Sequence, residues 1–322
     1  GIYLTAYTAG NPKRLDELIA LIDRTELNAV VIDIKDYSGY ILYDSELPVV
    51  NELQAKDNRL GDFRQLVKKL HDHDIYVMAR QTVFQDPLLA ERKPEWAIRS
   101  RRGGLWHDQK GLTWVDPTRK EVWDYNIAIA RDLAQFDIDE INFDYVRFPS
   151  DGNMSDVVYT NGSQKRHEVM RDFYQYLNTE LASLPVLISL DMFGFVMERG
   201  GNDDLQIGQR LEDAVDEVDY ISPMMYPSHY PPGHLGLENP AAFPTQVWQY
   251  GFEKGMPRFV GKRAEVRPWV QAFTLGAVYD GEKIRAQIAV TEKYSDAGWL
   301  LWNASNRYTD AGLMPEESAK SQ

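Results

Sequence analysis

An acidic residue ends a short apolar strand pattern near the middle of the chain, and aromatic and basic residues follow it directly. The pattern covers residues 141–143 and is followed by Asp144, Tyr145 and Arg147, before Pro149 interrupts regular strand pairing. In α/β barrels the chemistry is carried out at the carboxyl ends of strands. Asp144 is therefore interpreted either as a catalytic acid or as a strand-end carboxylate that caps the next loop.

Other predicted strands also end on residues that can do chemistry or bind a polar ligand. In a barrel of parallel strands these ends meet on one face, so the sequence predicts a single cleft. Period-2 alternation places Asp33 and Lys35 on the same face of their strand. Besides Asp144, Tyr145 and Arg147, the residues expected at the cleft are Asp33, Lys35, Asp36, Arg80, Asp191, Tyr226, His229, Gln271 and Trp302.

Carboxylates beside many aromatic rings are typical of a carbohydrate-binding cleft. Hydrolysis of a glycosidic bond needs two carboxyl groups, and in retaining enzymes these lie about 5 Å apart. Asp144 and Asp191 end neighbouring predicted strands, which suits that spacing. We interpret Asp144 as the nucleophile, kept ionised by Arg147 or Lys35. Asp191 is interpreted as the general acid/base, because its apolar neighbours raise its pKa by desolvation.

The roles of the acids have alternatives. Asp33 is a second candidate for either catalytic role, and Asp191 is alternatively a loop or helix-cap acid on the barrel rim. Asp33 and Lys35 are alternatively an internal ion pair that fills the barrel mouth. Substrate contacts are predicted for Lys35, Asp36, Arg80, Tyr145, Arg147, Tyr226, His229, Gln271 and Trp302.

Strand and helix patterns alternate along the whole chain, and this order predicts an α/β fold with parallel strands. Eight strand patterns favour a single (β/α)8 TIM barrel with long βα loops over residues 1–322. An open doubly wound sheet is less favoured, because no Gly-x-Gly-x-x-Gly turn follows a strand. Strands are predicted at 2–7, 28–36, 75–80, 141–143, 185–191, 219–226, 266–273 and 298–303, and helices at 12–25, 63–71, 120–134, 166–183, 209–218, 242–254 and 283–294.

The composition restricts the possible partners. The 322 residues include 35 basic and 49 acidic ones, so the net charge is −14. This charge argues against a nucleic-acid or anionic-membrane surface, and it favours a neutral or cationic glycan, such as one with free amino sugars. The chain has no cysteine and begins directly on a predicted strand. We expect a monomer without a cofactor, located outside the cell or in the cell envelope, whose export signal is missing here.

Four segments resemble the bacterial "putative glycoside hydrolase" domain family, long classed as a domain of unknown function. The resemblance implies a TIM barrel related to the α-amylase-like clan, with the fourth-strand acid, here Asp144, as nucleophile. The clan usually has a Glu as general acid after the fifth strand, whereas this chain has Asp191 there and Glu198 further along. The matching segments are residues 1–5, 31–36, 143–149, which is the most specific one, and 221–226.

Two other classes of function are a metal-dependent hydrolase and a non-catalytic carbohydrate-binding protein. A metal-dependent hydrolase is disfavoured, because the His-Asp-His-Asp run at 71–74 is expected at the stability face of the barrel. The segment 151–156 has oxygen donors at alternate positions but lacks the bidentate Glu of a calcium loop. A non-catalytic carbohydrate-binding barrel of the cell envelope would keep the aromatic residues and remains the alternative. For the enzyme, the aromatic residues and long loops predict an endo-acting enzyme on a polysaccharide.

Overall fold

The computed structural model describes residues 1–316, and its centre is one sheet of nine parallel strand segments. The order in the sheet is β10-β11-β1-β2-β3-β5-β7-β8-β9. Two further short strands, β4 and β6, form a separate antiparallel pair. The strands are β1 Ile2–Leu4, β2 Ala29–Lys35, β3 Tyr76–Thr82, β4 Arg99–Ser100, β5 Glu140–Asp144, β6 Val157–Val158, β7 Leu187–Phe193, β8 Tyr220–Met224, β9 Glu265–Val266, β10 Trp269–Gln271 and β11 Leu300–Trp302.

The sheet closes into a barrel through the seventh predicted strand. This strand is interrupted at Pro268, which has no backbone N–H to donate. Its first half, β9, pairs with β8, and its second half, β10, pairs with β11. Since only two residues separate the halves, one continuous segment joins both edges of the sheet. The predicted (β/α)8 barrel is thereby confirmed, with all eight predicted strands in place.

Helices on the outside of the barrel follow the apolar periodicity of the sequence, and several begin at a polar cap. Asn11, Asp62 and Asp280 each accept a hydrogen bond from the backbone N–H three residues later. None of the helices within residues 1–316 is both long and apolar enough to span a membrane. The helices are α1 Ala6–Ala9, α2 Pro12–Ile22, α3 Pro48–Glu52, α4 Phe63–His71, α5 Pro87–Arg92, α6 Lys120–Leu133, α7 Arg166–Leu181, α8 Pro244–Gly255 and α9 Gly281–Thr291.

The helix predicted at 209–218 is wrong, because only a 3₁₀ turn, Leu211–Asp213, forms there. Tertiary contacts override the local pattern at its start. The Gln209 side chain accepts from the Phe193 N–H at 2.9 Å and donates to the Val146 carbonyl at 3.2 Å. These bonds tie the segment to the loops after β5 and β7 and hold its first residue out of a helix.

The long connection between β3 and α6 is an ordered structure that packs on the loop after β5. The Trp106 indole donates to the Asn153 carbonyl at 3.0 Å, and the Trp114 indole donates to Asp108 at 3.0 Å. Both tryptophans are buried, and β4 of this connection pairs with β6 of the other loop. Together the two loops cover one side of the carboxyl end of the barrel.

Lys35 lies outside the cleft, which contradicts its predicted contact with substrate. The pairing of β2 with β3 shifts between Asp33 and Lys35, and this irregularity breaks the alternation that was expected to place both on one face. The Lys35 ammonium instead contacts the Asp86 carboxylate at 2.8 Å, and both side chains are fully buried. It also donates to the Thr82 carbonyl at 2.8 Å. Lys35 therefore fastens the loop after β3 to β2.

Breaking this ion pair should destabilise the fold strongly. The variant Asp86→Asn keeps a side chain that can cap α5 but leaves the Lys35 charge buried without a counter-ion. We expect the free energy of unfolding to fall by about 3–5 kcal/mol, measured by urea denaturation. As a control, Asp72→Asn removes an exposed pair with Lys68, and it should cost less than about 1 kcal/mol. Equal losses in the two variants would contradict this interpretation.

Candidate active site

The guanidinium of Arg80 is the centre of the polar cluster at the carboxyl end of the barrel. Its Nη1 contacts Asp33 at 2.5 Å, its Nη2 contacts Asp144, and its Nε lies 3.8 Å from Asp191. The acids come from β2, β5 and β7, and Arg80 comes from β3 between the first two. All four side chains are less than 10% exposed. The barrel thus brings together three of the predicted acids around one cation.

Asp191 is the least exposed of the three acids. Burial and, second, the neighbouring Asp144 charge raise the pKa of Asp191 to about 8. Its Oδ1 accepts hydrogen bonds from the Trp269 indole at 2.7 Å and from the Asn142 amide at 2.9 Å. These donors fix the orientation of the carboxyl group. At neutral pH Asp191 therefore carries a proton that it can donate.

Asp144 is held by a donor on each side. Its Oδ1 accepts from the Tyr145 backbone N–H at 2.5 Å, while Oδ2 contacts Arg80. Tyr145 has a φ of 53°, a left-handed conformation that non-glycine residues seldom adopt. Such conformations cluster at functional sites, where the surrounding structure holds them. The strand-end turn thus aims a backbone donor at the Asp144 carboxyl group.

Asp33 forms the far side of the cluster and contacts aromatic residues of the barrel interior. The Tyr3 hydroxyl donates to it at 2.5 Å, and burial raises the pKa of its carboxyl group, with Arg80 acting in the opposite direction. The Tyr3 ring stacks on Trp302 at 4.1 Å between centroids. Trp302 in turn contacts Trp269 edge-on at 5.4 Å. The rings of Tyr3, Trp302 and Trp269 therefore form an aromatic layer on the side of the cluster where Asp33 contacts Arg80.

Three residues of this network were not named by the sequence reasoning. Asn142 precedes Asp144 by two positions, so strand alternation alone places both on one face. Trp269 is buried, and a buried indole N–H needs an acceptor, which Asp191 supplies. Tyr3 gives no local signal, because its role depends on the contact of its hydroxyl group with a neighbouring strand.

One predicted substrate contact, Gln271, has a structural role instead. Gln271 is fully buried. Its side chain accepts from the Ser228 N–H at 3.2 Å and donates to the Phe273 carbonyl at 3.0 Å, so it fastens two loops. Asp36 accepts from the Ser38 N–H at 2.9 Å in a local turn. The prediction is wrong for Gln271 as positioned here, because both ends of its amide are used by the protein.

A cavity of about 380 Å³ lies beside the cluster, between the loops after β7 and β8. Tyr226 lines this cavity and also lies near the acid cluster. Burial and, second, the charges of Asp191 and Asp144 raise its pKa far above the usual value. His229 is exposed, and its ring lies 5.3 Å from that of Tyr226. The lining is mainly aromatic, and consists of Phe193, Gly194, Phe195, Met224, Tyr226, His229 and Tyr230.

Glu198, the other candidate for the acid, lies apart from the cluster. Burial raises its pKa to about 7, and its carboxyl group lies 3.2 Å from the His234 ring. Within residues 1–316 it makes no ion pair with Arg80. Glu198 lies beside Tyr230, which lines the aromatic cavity. Glu198 is therefore a neighbour of the cavity and not a partner of Asp144.

The histidines at 71–74 lie at the opposite end of the barrel, where β3 begins. His71 contacts Asp139 at 3.0 Å, and His73 contacts Asp23 at 3.0 Å. No group of three or more His, Asp or Glu side chains in the described part of the chain is arranged to hold a metal ion. These histidines join neighbouring surface elements.

The closed parallel barrel is a TIM-barrel fold, with carboxyl groups at the carboxyl ends of neighbouring strands. Residues 1–308 match the family model described as "Putative glycosyl hydrolase domain", and the chain belongs to that family. The resemblance drawn from the four sequence segments is thereby confirmed. No curated protein matches the chain. The family and the fold together support a glycosidase.

Several solved structures are similar. The PgaB (BpsB) glycoside hydrolase domain from Bordetella bronchiseptica has a TM-score of 0.65 at 14% identity, over 94% of this chain and 93% of that one. The α-galactosidase TtGalA from Thermus thermophilus has a TM-score of 0.58 at 11% identity, over 97% and 63%. At such identities the likeness is one of fold. A hypothetical protein from Ruminiclostridium thermocellum ATCC 27405 is 39% identical over 59% of this chain and 97% of that chain, with a TM-score of 0.56.

The raised pKa of Asp191 should make folding stability depend on pH. Between the ordinary value of 3.8 and about 8 the folded chain binds a proton that the unfolded chain releases. Stability from this group should therefore decline as the pH rises across that window, with a slope of up to about 1.4 kcal/mol per pH unit. Asp191→Asn, which cannot ionise, should lack this slope in urea denaturation from pH 4 to pH 8. Parallel curves for the two proteins would disprove the assignment.

Proposed function

We propose that the protein is a retaining glycoside hydrolase, in which Asp144 is the nucleophile and Asp191 the general acid/base. The observation that carries this proposal is that both carboxyl groups approach one guanidinium. Asp144 is paired with Arg80, whereas Asp191 has a pKa of about 8. Glycosidases need two carboxyl groups whose surroundings separate their protonation states in this way.

The reaction would proceed in two displacements. Asp191 donates its proton to the glycosidic oxygen as the bond to the leaving group breaks, and Asp144 attacks the anomeric carbon to form a glycosyl ester. The ionised Asp191 then takes a proton from water, and the oxygen of this water displaces Asp144 from the anomeric carbon. The ester bond breaks, the sugar is released, and both acids return to their starting states.

Arg80 and Asp33 would act as positioning residues. Arg80 orients Asp144, and Asp33 with Tyr3 fixes the other side of the guanidinium. Charge-assisted bonds of this kind are among the strongest hydrogen bonds in proteins. Asp33 is thus better suited to hold Arg80 than to attack a sugar, because its carboxyl group is less exposed than that of Asp144, at 4% against 9%, and lies one layer deeper in the barrel.

The substrate is proposed to be a polysaccharide cleaved within the chain, at or outside the cell surface. Exposed aromatic side chains support an extended cleft, because ring faces bind the C–H faces of sugars. Tyr7 follows β1 and Tyr37 follows β2, both at the same end of the barrel as Asp144, and they are 59% and 58% exposed. His229 and the aromatic cavity lie after β7 and β8.

A non-catalytic carbohydrate-binding barrel is the second candidate. It is favoured by the burial of the acids, since the Asp144 side chain is only 9% exposed and that of Asp191 only 1%. In this conformation Arg80 occupies part of the space around Asp144. A recognition module would keep the aromatic surfaces and would bind glycans without cleaving them.

Substitution of the two acids distinguishes these candidates. On a panel of polysaccharides with reducing-end detection, Asp144→Asn should abolish cleavage, and Asp191→Asn should slow it about 10²–10⁴-fold. Asp191→Asn should lose less on aryl glycosides, whose leaving groups need no proton. Asp72→Asn is the control and should retain activity, because Asp72 is an exposed carboxylate that pairs with Lys68 at the opposite end of the barrel. Glycan binding by the wild type without any cleavage would support the recognition module instead.

The same assignment predicts the pH profile of the enzyme. Because Asp191 must hold a proton to act as general acid, kcat/KM should decline above about pH 8. The basic limb should disappear for an aryl glycoside with a very good leaving group when the glycosylation step is followed. A basic limb at the same pH in Asp191→Asn, measured on that substrate, would assign the titration to another group.

A further inference from the structure

Arg147 lies in the turn after β5 and is enclosed by aromatic rings. Its guanidinium carbon lies 4.8 Å from the ring centre of Phe193, 5.1 Å from that of Trp114 and 5.3 Å from that of Tyr145. Cation–π contacts such as these hold an arginine in a fixed orientation. The guanidinium is therefore preorganised at the edge of the cleft.

No carboxylate forms an ion pair with Arg147 within residues 1–316, and this distinguishes it from the other enclosed arginines. Arg80 pairs with Asp33 and Asp144, and Arg267 pairs with Glu140. Burial lowers the pKa of Arg147, while Tyr145 and the charges of Asp144, Asp151 and Asp108, all beyond ion-pair distance, act in the opposite direction. A partly buried cation that contacts no counter-ion is unfavourable unless other groups compensate it. The aromatic rings supply only part of this compensation.

One side of the Arg147 guanidinium is free to bind a ligand. Its Nη1 donates to the Phe148 carbonyl at 3.1 Å and to the Ser150 hydroxyl at 3.3 Å. Nε and Nη2 have no acceptor in the described part of the chain, and they are not among its fully buried polar atoms. Nε and Nη2 are the pair that usually binds a carboxylate or sulfate in a bidentate manner.

The location of Arg147 links it to the proposed site. Phe193, which contacts the guanidinium, also lines the aromatic cavity, and Tyr226 on the other side of that cavity lies within the field of Asp144 and Asp191. A sugar ring that occupies the cavity beside the acids would therefore have its substituents close to Arg147.

We propose that Arg147 determines specificity by binding an anionic substituent, a carboxylate or a sulfate ester, on the sugar next to the cleaved bond. This inference rests on the proposed function and names the substrate class. It modifies the expectation of a neutral or cationic glycan drawn from the net charge of −14. That charge acts at long range and is screened over about 8 Å at physiological salt, whereas Arg147 acts in contact. The fitting substrate is a largely neutral chain with isolated acidic sugars.

Binding can be tested without any turnover. In the Asp144→Asn protein, the side-chain ¹⁵Nε–H signal of Arg147, assigned by Arg147→Lys, would be followed during titration with sugars. The probes are glucuronate, galacturonate and glucose 6-sulfate, each up to about 100 mM, where a single weak ion pair becomes detectable. Glucose, galactose and sodium sulfate at equal ionic strength are the controls. The signal should move with the anionic sugars only.

The pattern of responses in this titration decides between the possible interpretations of Arg147. A response to uronates alone or to the sulfate ester alone identifies the anion. No response to any anionic sugar, or an equal response to glucose and galactose, overturns the proposal. A response in a protein whose wild type cleaves no glycan would retain the anion site and reject the hydrolase, so that the two failures are distinguishable.

Substitution tests the role in selectivity. For cleaved substrates, Arg147→Met should reduce kcat/KM about 10–100-fold for the acidic form, as expected for a lost charge-assisted bond, and little for its neutral counterpart. Arg199→Met is the matched control, because Arg199 also lies over a ring, that of Phe195, but is paired with Asp203 at 3.0 Å. Equal losses on both substrates would show that Arg147 only supports the turn through Phe148 and Ser150.

Discussion

The contact of three carboxyl groups with the Arg80 guanidinium is the constraint on which the site depends. Fully ionised, these four groups would carry a net charge of −2 in a region with little exposure to water. The structure relieves this excess by leaving Asp191 protonated, with a pKa of about 8. Asp144, in turn, accepts from Arg80 and from a backbone N–H. The difference between the two acids thus arises from the shared cation and from burial.

The barrel creates this contact through the register of its strands. Asp33, Arg80, Asn142 and Ser189 are paired side by side across β2, β3, β5 and β7, so they form one layer of the interior. Asp144 and Asp191 follow two residues later on their strands and therefore lie one layer nearer the mouth. Arg80 is long enough to reach from its own layer to the next, which a shorter cation would not do.

The sequence was sufficient for the barrel and for the acids at its strand ends, because alternating patterns and strand termini are local features. It was insufficient where partners come from other elements. Gln209 is not helical as predicted, because its side chain forms hydrogen bonds to two loops. Lys35 does not lie in the cleft, because the pairing of β2 is irregular after Asp33. Such a shift in pairing reverses the direction of every later side chain on the strand. No residue type near Asp33 predicts this shift.

The contrast between Lys35 and Arg147 shows why a cation near an acid in sequence is a poor guide to its partner. One or the other was predicted to keep Asp144 ionised, yet Lys35 is neutralised by Asp86, and Arg147 contacts aromatic rings. Arg80, from a neighbouring strand, takes the position beside Asp144. Arg147 contacts no carboxylate in the described chain, and the more distant charges of Asp144, Asp151 and Asp108 offset its burial only in part, so a charge brought by the ligand would complete the compensation.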